Sequence, residues 1–303
     1  MDAEIITPSG EIPTTQVIPT TRVAPTTDEA LAGLDALEST ARARTSVGRR
    51  ALTAAWPRLL ALVIAVGAWQ VLVWSGWKPE FLLPGPRTVG RALTDLVGDL
   101  DFWRAVATTL RRAVAGFGLA LVIGGLLGIL VSASSVLRRA IGSLITGLQT
   151  MPSIAWFPLA ILLFQLTETA ILFVVVLGAA PSIANGVISG VDNIPPILTK
   201  VSDVLGARGI RRYRTIIIPA ALPSIIGGLK QGWAFAWRSL VAGELLVILA
   251  DRPSLGARLQ FAREFSDAPG LLALMIVFLV IGLFVDAAFG AVDRRVRRRH
   301  GLA

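Results

Sequence analysis

Three charged residues, Lys230, Arg238 and Glu244, lie inside one long apolar run in the C-terminal third of the chain. A charge near the centre of a bilayer costs at least about 2.5–3.5 kcal/mol, so such residues normally face a cavity or a partner. Lys230 and Glu244 are about 21 Å apart along a helix, too far to pair with each other. The pattern suggests that the two cations make a pathway electropositive for a small anion, gated by Trp233 and Trp237, which lie one turn apart.

The alternative is a structural role for these charges. In that case Lys230 and Arg238 pair with acidic residues of other helices, such as Asp286 and Glu168, or extend towards lipid headgroups. The two readings differ in whether replacing the cations abolishes uptake while leaving assembly intact.

Other side-chain chemistry is nearly excluded by composition. The 303 residues include no cysteine and one histidine, His300, in a basic C-terminal tail. Disulfides, thiolate nucleophiles, a zinc site and a histidine-dependent triad therefore have no basis. No G-x-x-x-x-G-K-[ST] motif occurs, so the chain is predicted not to hydrolyse ATP itself.

The elements that carry these charges are predicted to cross a membrane. Hydrophobic residues make up 54% of the chain and charged residues only 16%, against about a quarter in soluble domains. A crossing needs about 20 mainly apolar residues. Six spans are predicted, at 59–77, 114–131, 141–164, 170–188, 216–248 and 271–289.

Basic residues set the predicted orientation, with both termini in the cytoplasm. The basic blocks assigned to the cytoplasm are 42–58, Arg138 with Arg139, 200–214 and the C-terminal tail. Segments 78–112 and 251–270 are then outside. Arg111 and Arg112 fit this scheme poorly, because it places them at the outer end of the second span. The net charge of +9 is explained by these cytoplasmic ends and not by nucleic-acid binding.

Two segments depart from simple spans. Residues 1–55 contain a degenerate Pro/Thr-rich repeat that cannot build a core, so they are predicted to be a disordered cytoplasmic extension of a domain covering 56–303. The third span is interrupted by prolines, and freed carbonyls at membrane depth are tolerated only against protein or a water-filled cavity. A kink, beside a pathway or purely structural, is predicted at Met151, Pro152, Trp156 and Pro158.

The basic segment 200–224 between the fourth and fifth spans is predicted to be a docking surface for a cytosolic partner. It contains a helical stretch, a glycine break at Gly206, a second basic turn and a proline-rich entry to the next span. Gly206 suits a turn that a β-carbon would obstruct, and Pro219 suits the first turn of a helix.

This segment resembles the "EAA" cytoplasmic loop of ABC-importer permeases, because Gly206 and Pro219 hold the glycine and proline positions at the expected separation. Further stretches resemble the nitrate/sulfonate/taurine branch of that family. These are LLPGPRTV at 82–89, TTLRRAVAGFGLA at 108–120, MPSIAWFPLAIL at 151–162, GVISGVDNI at 186–194 and GLKQGWAFAWRSLVAGELL at 228–246. The resemblance covers nearly everything after residue 56.

The resemblance implies an all-α integral membrane protein of six transmembrane helices, with the type I (MetI-like) ABC-importer permease fold and a cytoplasmic coupling helix. It implies alternating-access import of a small anion, a sulfonate preferred, across the cytoplasmic membrane. The implied partners are a second permease copy, two ATPase subunits that bind ATP and Mg, an extracytoplasmic solute-binding protein and membrane lipid. No cofactor is implied for this chain.

The same resemblance implies which residues couple to the ATPase: Lys200, Asp203, Gly206, Ala207, Arg208, Arg211 and Pro219. One position departs from the family. Lys200 stands where relatives have the acidic residue of Glu-Ala-Ala. Either Asp203, about one helical turn away, takes over part of the ATPase contact, or the ATPase surface is changed to suit Lys200.

Two other classes of function are weighed against this one. A secondary transporter or anion channel would also have six spans, but it would need no basic cytoplasmic insert and would work without an ATPase. A membrane-embedded enzyme would need a catalytic constellation, which the sequence lacks.

Overall fold

The computed structural model describes residues 47–207 and 209–299, and these residues form helices and turns without a strand. In chain order the helices are α1 (Val47–Trp74), α2 (Pro86–Gly98), α3 (Leu100–Ala133), α4 (Ser135–Thr150), α5 (Phe157–Phe164), α6 (Glu168–Asp192), α7 (Pro196–Val204), α8 (Gly209–Arg212), α9 (Ile218–Leu246), α10 (Leu255–Glu264) and α11 (Ala268–Arg299). A 3₁₀ turn, Ser153–Trp156, precedes α5, and a π-helical segment, Tyr213–Ile217, precedes α9. The predicted all-α class is confirmed.

Three helices of the described part of the chain are long and apolar enough to cross a membrane: Leu100–Ala133, Glu168–Asp192 and Ala268–Val296. A fourth crossing results if the bent pair Ser135–Thr150 and Ser153–Phe164 counts as one span, and Leu59–Trp74 is a shorter apolar helix. Helix α9 is 29 residues long, but its glycines, prolines and charges make it less apolar. The number of six spans therefore stays a prediction.

The chain divides within α1 into two units, one ending at Ile64 and the other beginning at Ala65. The described residues of the first unit form the N-terminal part of α1. Most of the predicted extension at 1–55 lies outside the described residues, which begin at position 47. The predicted domain boundary at residue 55 therefore stays a prediction.

Helix α6 is the centre of the second unit. Its most apolar stretch is 61% buried, against 28% in α3 and 17% in α11. Glycines bring the neighbouring helices close to it, because in lipid small residues let backbones approach. A β-carbon at Gly128 of α3 would meet Val187 at 2.7 Å, and one at Gly228 of α9 would meet the Cα atom of Gly186 at 2.5 Å. Helix α6 is thus held between α3 and α9.

The interruption predicted in the third span lies where the prolines predicted it. Helix α4 ends at Thr150, and the chain turns by 103° into the 3₁₀ turn and α5. Pro158 lies in the first turn of α5, where a missing N–H costs no helical hydrogen bond. The packing of this break is described with the candidate site.

Candidate functional site

The segment predicted to dock a cytosolic partner forms a short helix followed by a glycine turn. Helix α7 ends at Val204, and Gly206 has a φ of +63°, a left-handed conformation that disfavours a β-carbon. Gly209, with a φ of +57°, begins α8 and is a second such turn that the sequence analysis missed. Lys200 is exposed, whereas Ala207 is buried. The glycine break therefore separates α7 from α8.

The side chains of two predicted coupling residues lie outside the described part of the chain. Arg208 lies outside the described residues, and so does the side chain of Asp203, although its backbone belongs to α7. Arg211 is exposed in α8. Arg138 at the start of α4 forms an ion pair with Asp192 at the end of α6, at 2.6 Å. The start of α4 and the C-terminal end of α6 therefore lie together, and α7 begins four residues after Asp192.

Pro219 lies in the first turn of α9, but the chain before it is already helical. The π-helical segment runs into α9 without a break, and Ile217 has helical φ and ψ angles. A proline within a helix lacks its N–H and clashes with the carbonyl four residues earlier. That carbonyl belongs to Thr215, inside the π-helical segment. The wider π turn therefore accommodates Pro219, which keeps the rigid entry to α9 that the sequence predicted.

The three charged residues of α9 have different surroundings. Lys230 forms an ion pair with Asp286 of α11 at 3.0 Å, and both side chains are about half-exposed, at 46% and 59%. Arg238 is also exposed, but its recorded contact is with the Phe235 ring, 5.9 Å from the guanidinium. Within the part of the chain that the structure describes, Arg238 has no acidic partner. The ion pair fits the structural interpretation for Lys230, and a pathway role for Arg238 stays a prediction.

The two tryptophans of α9 stack on each other, with ring centroids 6.3 Å apart and planes inclined by 17°. Trp233 is buried in the main apolar core, where it meets Phe117 edge-on. Trp237 is only partly buried and contacts Phe278 of α11. In this single copy the pair packs α9 against α3 and α11.

Glu244, the third charged residue of α9, is completely buried in a polar network. It accepts hydrogen bonds from Arg112 Nη1 at 2.9 Å and from Thr109 Oγ1 at 2.9 Å, both on α3. It also accepts one from the backbone N–H of Gly256 at 3.1 Å. Gly256 is required there, since a β-carbon would overlap the Glu244 side chain.

The same network satisfies the start of α10. Ser254 caps this helix through the N–H of Ala257, and the N–H of Leu255 donates to Thr109 Oγ1 at 3.0 Å. A carboxylate at a helix N-terminus is favoured by the free N–H groups and the helix dipole. Glu244 therefore holds the first turn of α10 against α3 and α9.

Glu168, at the start of α6, extends the network. It lies 3.3 Å from Nε of Arg112 and 3.6 Å from Arg111, and it also pairs with Arg252. These contacts account for Arg112, which fits the predicted topology poorly, because it is 2% exposed and lies against acids from two other helices. Arg111 stays largely exposed. Two features of the sequence point to this network: the poor fit of Arg112 to the predicted topology, and Ser254 as a serine that can cap a helix.

The broken span packs partly against the core. Trp156 contacts the main core cluster from the 3₁₀ turn, whereas Met151 is 44% exposed and Pro152 is also exposed. No group of three or more Asp, Glu, His or Cys residues that could hold a metal ion occurs within residues 47–207 and 209–299.

A partly exposed ion pair joins the N-cap of α3 to α10. Asp99 caps α3 and lies 2.8 Å from Arg258 of α10. The hydrogen bond from Arg258, with a further one from the N–H of Asp101, holds the pKa of the Asp99 carboxyl below its usual value of 3.8. A lowered carboxyl pKa stabilises the fold above the unfolded-state value, and that contribution is lost as the pH falls through the folded-state value.

We expect Asp99→Asn to make the stability of the protein less dependent on pH in the acid range. Asparagine still caps a helix, but it cannot titrate or pair with Arg258. The thermal unfolding midpoint of the purified protein, measured from pH 6 to pH 3, should fall less steeply in the variant than in the wild type. Asp101→Asn is the control, since the side chain of Asp101 pairs with Arg104 on its own helix. Equal slopes for wild type and Asp99→Asn would refute the assignment.

Comparison with known proteins places this arrangement among transport proteins. The family model described as "Binding-protein-dependent transport system inner membrane component" matches residues 120–298. A probable ABC transporter permease protein of Brucella melitensis is 31% identical over 251 residues, covering 81% of this chain and 97% of the relative.

Two further relatives have more specific names. The taurine transport system permease protein of Escherichia coli K12 is 27% identical, covering 81% of this chain and 93% of that protein. The nitrate import permease protein of Leptolyngbya laminosa is 30% identical, covering 79% and 87%. Among solved structures, the MetNI methionine ABC transporter in an inward-facing conformation contains a chain similar in fold, with a TM-score of 0.56 at 19% identity over 65% of this chain and 96% of that one.

Proposed function

Because this chain belongs to the family of binding-protein-dependent transport system inner membrane components, we propose that it carries a small anion, preferably a sulfonate, across the cytoplasmic membrane. The chain is the permease subunit of an ABC importer, and its family works with an ATPase and a solute-binding protein. The substrate class, the number of copies and the orientation are the proposal.

The surroundings of Arg238 are the main reason for proposing an anion as the substrate. It is an exposed cation in the middle of a helix that contributes to the core, and it has no acidic partner among the described residues. Such a charge is costly at membrane depth unless it faces a cavity or a partner. An unpaired guanidinium binds planar or tetrahedral oxyanions well, because its donors match their oxygens. Relatives named for taurine and for nitrate support the same class.

The energy for transport comes, in this proposal, from an ATPase docked on α7. Lys200 on α7 and Arg211 on α8 are exposed and basic, so they suit an acidic groove on that partner. The π-helical segment and Pro219 make a stiff connection from this surface into α9, the helix that carries Arg238. Closure of the nucleotide sites would thus move α9 as a rigid body.

Two permease copies are proposed to enclose the pathway between two ATPase subunits. The apolar stretch of α11 is only 17% buried within one copy, so much of it is left for lipid or a second copy. The termini are proposed to be cytoplasmic, because basic blocks precede the first predicted span and follow the last one.

The direct test is reconstitution of the permease with its ATPase and binding protein in liposomes. Uptake of radiolabelled taurine and of nitrate would be measured with ATP and without it. The proposal expects ATP-dependent uptake of at least one anion only when all components are present. Uptake driven by an ion gradient alone would contradict it, as would ATP-driven uptake of neither anion.

We expect Gly206→Ala to weaken coupling between the ATPase and transport. At a φ of +63° a β-carbon costs about 1–2 kcal/mol, so α7 would be displaced relative to α9. Uptake per ATP hydrolysed should fall several-fold. Gly206→Asn should retain more coupling, since asparagine tolerates this conformation better.

Gly142→Ala, at an unobstructed helical position of α4, is the matched control for this change. It should leave uptake per ATP unchanged. If Gly206→Ala behaves like Gly142→Ala, the turn has no part in coupling.

A further inference from the structure

A polar cleft of about 410 Å³ opens between α4, α6 and α9. The residues that line it are uncharged, and most of them can form hydrogen bonds. The polar side chains include Gln149, Ser182, Asn185, Ser189, Ser224 and Gln231. A cleft of this size is typical of small-molecule sites, but such sites are mostly apolar. Its polarity within apolar helices therefore needs a physical reason.

The floor of the cleft is a contact between two backbones. A β-carbon at Gly186 of α6 would lie 2.6 Å from the Cα atom of Gly228 on α9. With no side chain at either position, the polar groups on both sides of this contact remain reachable from outside. The glycine pair thus both packs the helices and keeps the cleft open.

Three of the polar side chains are accounted for by helix packing. Gln149 of α4 donates a hydrogen bond to Ser182 Oγ at 2.7 Å, and Asn185 donates one to the Gln149 carbonyl oxygen. Hydrogen bonds of this kind between helices stabilise membrane proteins. This group fixes α4 against α6 and forms one wall.

The other three side chains are not explained by packing. Ser189, Ser224 and Gln231 make no side-chain hydrogen bond with any residue in the described ranges, and Ser189 and Gln231 are exposed. Polar groups at membrane depth are found against protein or a water-filled cavity. Their hydroxyl and amide N–H groups are donors without a recorded acceptor.

Arg238 lies on the same face of α9 as Gln231, two helical turns further along and about 10.5 Å away on the helix axis. A ligand that has met the guanidinium would next meet the neutral donors of the cleft. Oxygens of a sulfonate or nitrate accept hydrogen bonds from hydroxyl and amide groups. Transit requires that binding is weak enough for release, and a site without a cation meets that requirement.

We propose that this cleft is a low-affinity transit site for a small oxyanion on the cytoplasmic side of Arg238. Ser189, Ser224 and Gln231 supply the hydrogen-bond donors, and the Gln149 group supplies the wall. The assignment rests on the proposed function, since it takes the anion from that proposal. It adds a second binding step, which the family name does not contain.

The natural absence of cysteine makes a direct test available. Ser189→Cys in the purified permease–ATPase complex would be labelled with two thiosulfonate reagents of similar size, one bearing a sulfonate and one a trimethylammonium group. Phe265→Cys, at a side chain that is 80% exposed in the turn after α10, is the control for intrinsic reactivity. The sulfonate reagent should be favoured at least fivefold more at position 189 than at position 265. Equal ratios, or no labelling at position 189, would overturn the proposal.

A charge series at Gln231 tests the same site by transport. In reconstituted transporter, Gln231→Glu should lower taurine or nitrate uptake by tenfold or more, whereas Gln231→Lys, which attracts the anion but slows its release, should lower uptake clearly less. Ser132→Ala, a hydroxyl of α3 that bonds only its own helix, should have no effect. A merely structural side chain would be disturbed equally by either charge, so equal losses would refute the site.

The two proposals fail in different ways. If the wild type imports neither anion, the proposed substrate is wrong, and the labelling ratio still decides whether the cleft prefers anions. If the wild type imports taurine or nitrate while the charge series and the labelling ratio show no anion preference, the cleft assignment alone is wrong.

Discussion

Glu244→Gln lowers the free energy of unfolding by about 1.5–3 kcal/mol, because the buried Arg112 guanidinium loses its closest counter-charge and keeps only Glu168, at 3.3 Å. Glutamine fills the same volume and still accepts hydrogen bonds from Thr109 and Gly256, so the loss reports the charge and not the shape. Against a total stability of about 5–15 kcal/mol, this is enough to reduce the folded population in the membrane.

The measurement is the thermal unfolding midpoint of the purified permease in detergent, together with its abundance in the membrane. Glu264→Gln is the matched control, since Glu264 is exposed and its recorded contact is with Gln260 one turn away. Exposed charges of this kind contribute about 0–1 kcal/mol. A Glu244→Gln midpoint equal to that of Glu264→Gln would mean that the network does not stabilise the fold.

A double replacement separates the pair from its surroundings. Arg112→Met combined with Glu244→Met removes both charges, and buried ion pairs replaced by apolar residues are often neutral in stability. The double variant should therefore be more stable than either single variant. It should not reach the wild type, because the N–H of Gly256 and the hydroxyl of Thr109 lose their acceptor.

The features that the sequence predicted well are those encoded by one or two residues in a local pattern. Met151–Pro152 ends a helix because proline cannot continue the ladder, and α4 ends at the preceding residue. Gly206 was expected at a turn that excludes a β-carbon, and its φ is +63°. The separation of Lys230 from Glu244 followed from helix rise alone, and the two contact different helices.

The features that the sequence could not predict depend on which helices become neighbours. Arg112 meets Glu244 across 132 positions of sequence, and nothing local to either residue indicates that contact. The polar cleft is similar, because Gln149, Asn185 and Gln231 are each unremarkable in their own helix and form a site only when three helices meet. The π-helical segment before α9 was also unpredicted, since Pro219 suits a helix start as well as a widened turn.

Arg238→Met should reduce anion uptake by on the order of tenfold, which corresponds to about 1.4 kcal/mol in the transport barrier. The guanidinium is exposed and contacts only Phe235 among the described residues, so its removal should leave folding and assembly intact. Arg238→Lys keeps the charge and should retain much of the uptake. The measurement is the initial rate of taurine or nitrate uptake into liposomes, normalised to the amount of assembled complex.

Lys230 supplies the internal control, because its charge is already balanced by Asp286 at 3.0 Å. Lys230→Met alone leaves a carboxylate unpaired on α11, and that negative charge should slow an anion. Lys230→Met with Asp286→Leu removes the pair and should restore uptake close to the wild-type rate. Full uptake in Arg238→Met would show that α9 does not attract the substrate through this cation. A double variant as slow as Lys230→Met would show that uptake needs the Lys230 charge itself and not only its balance with Asp286.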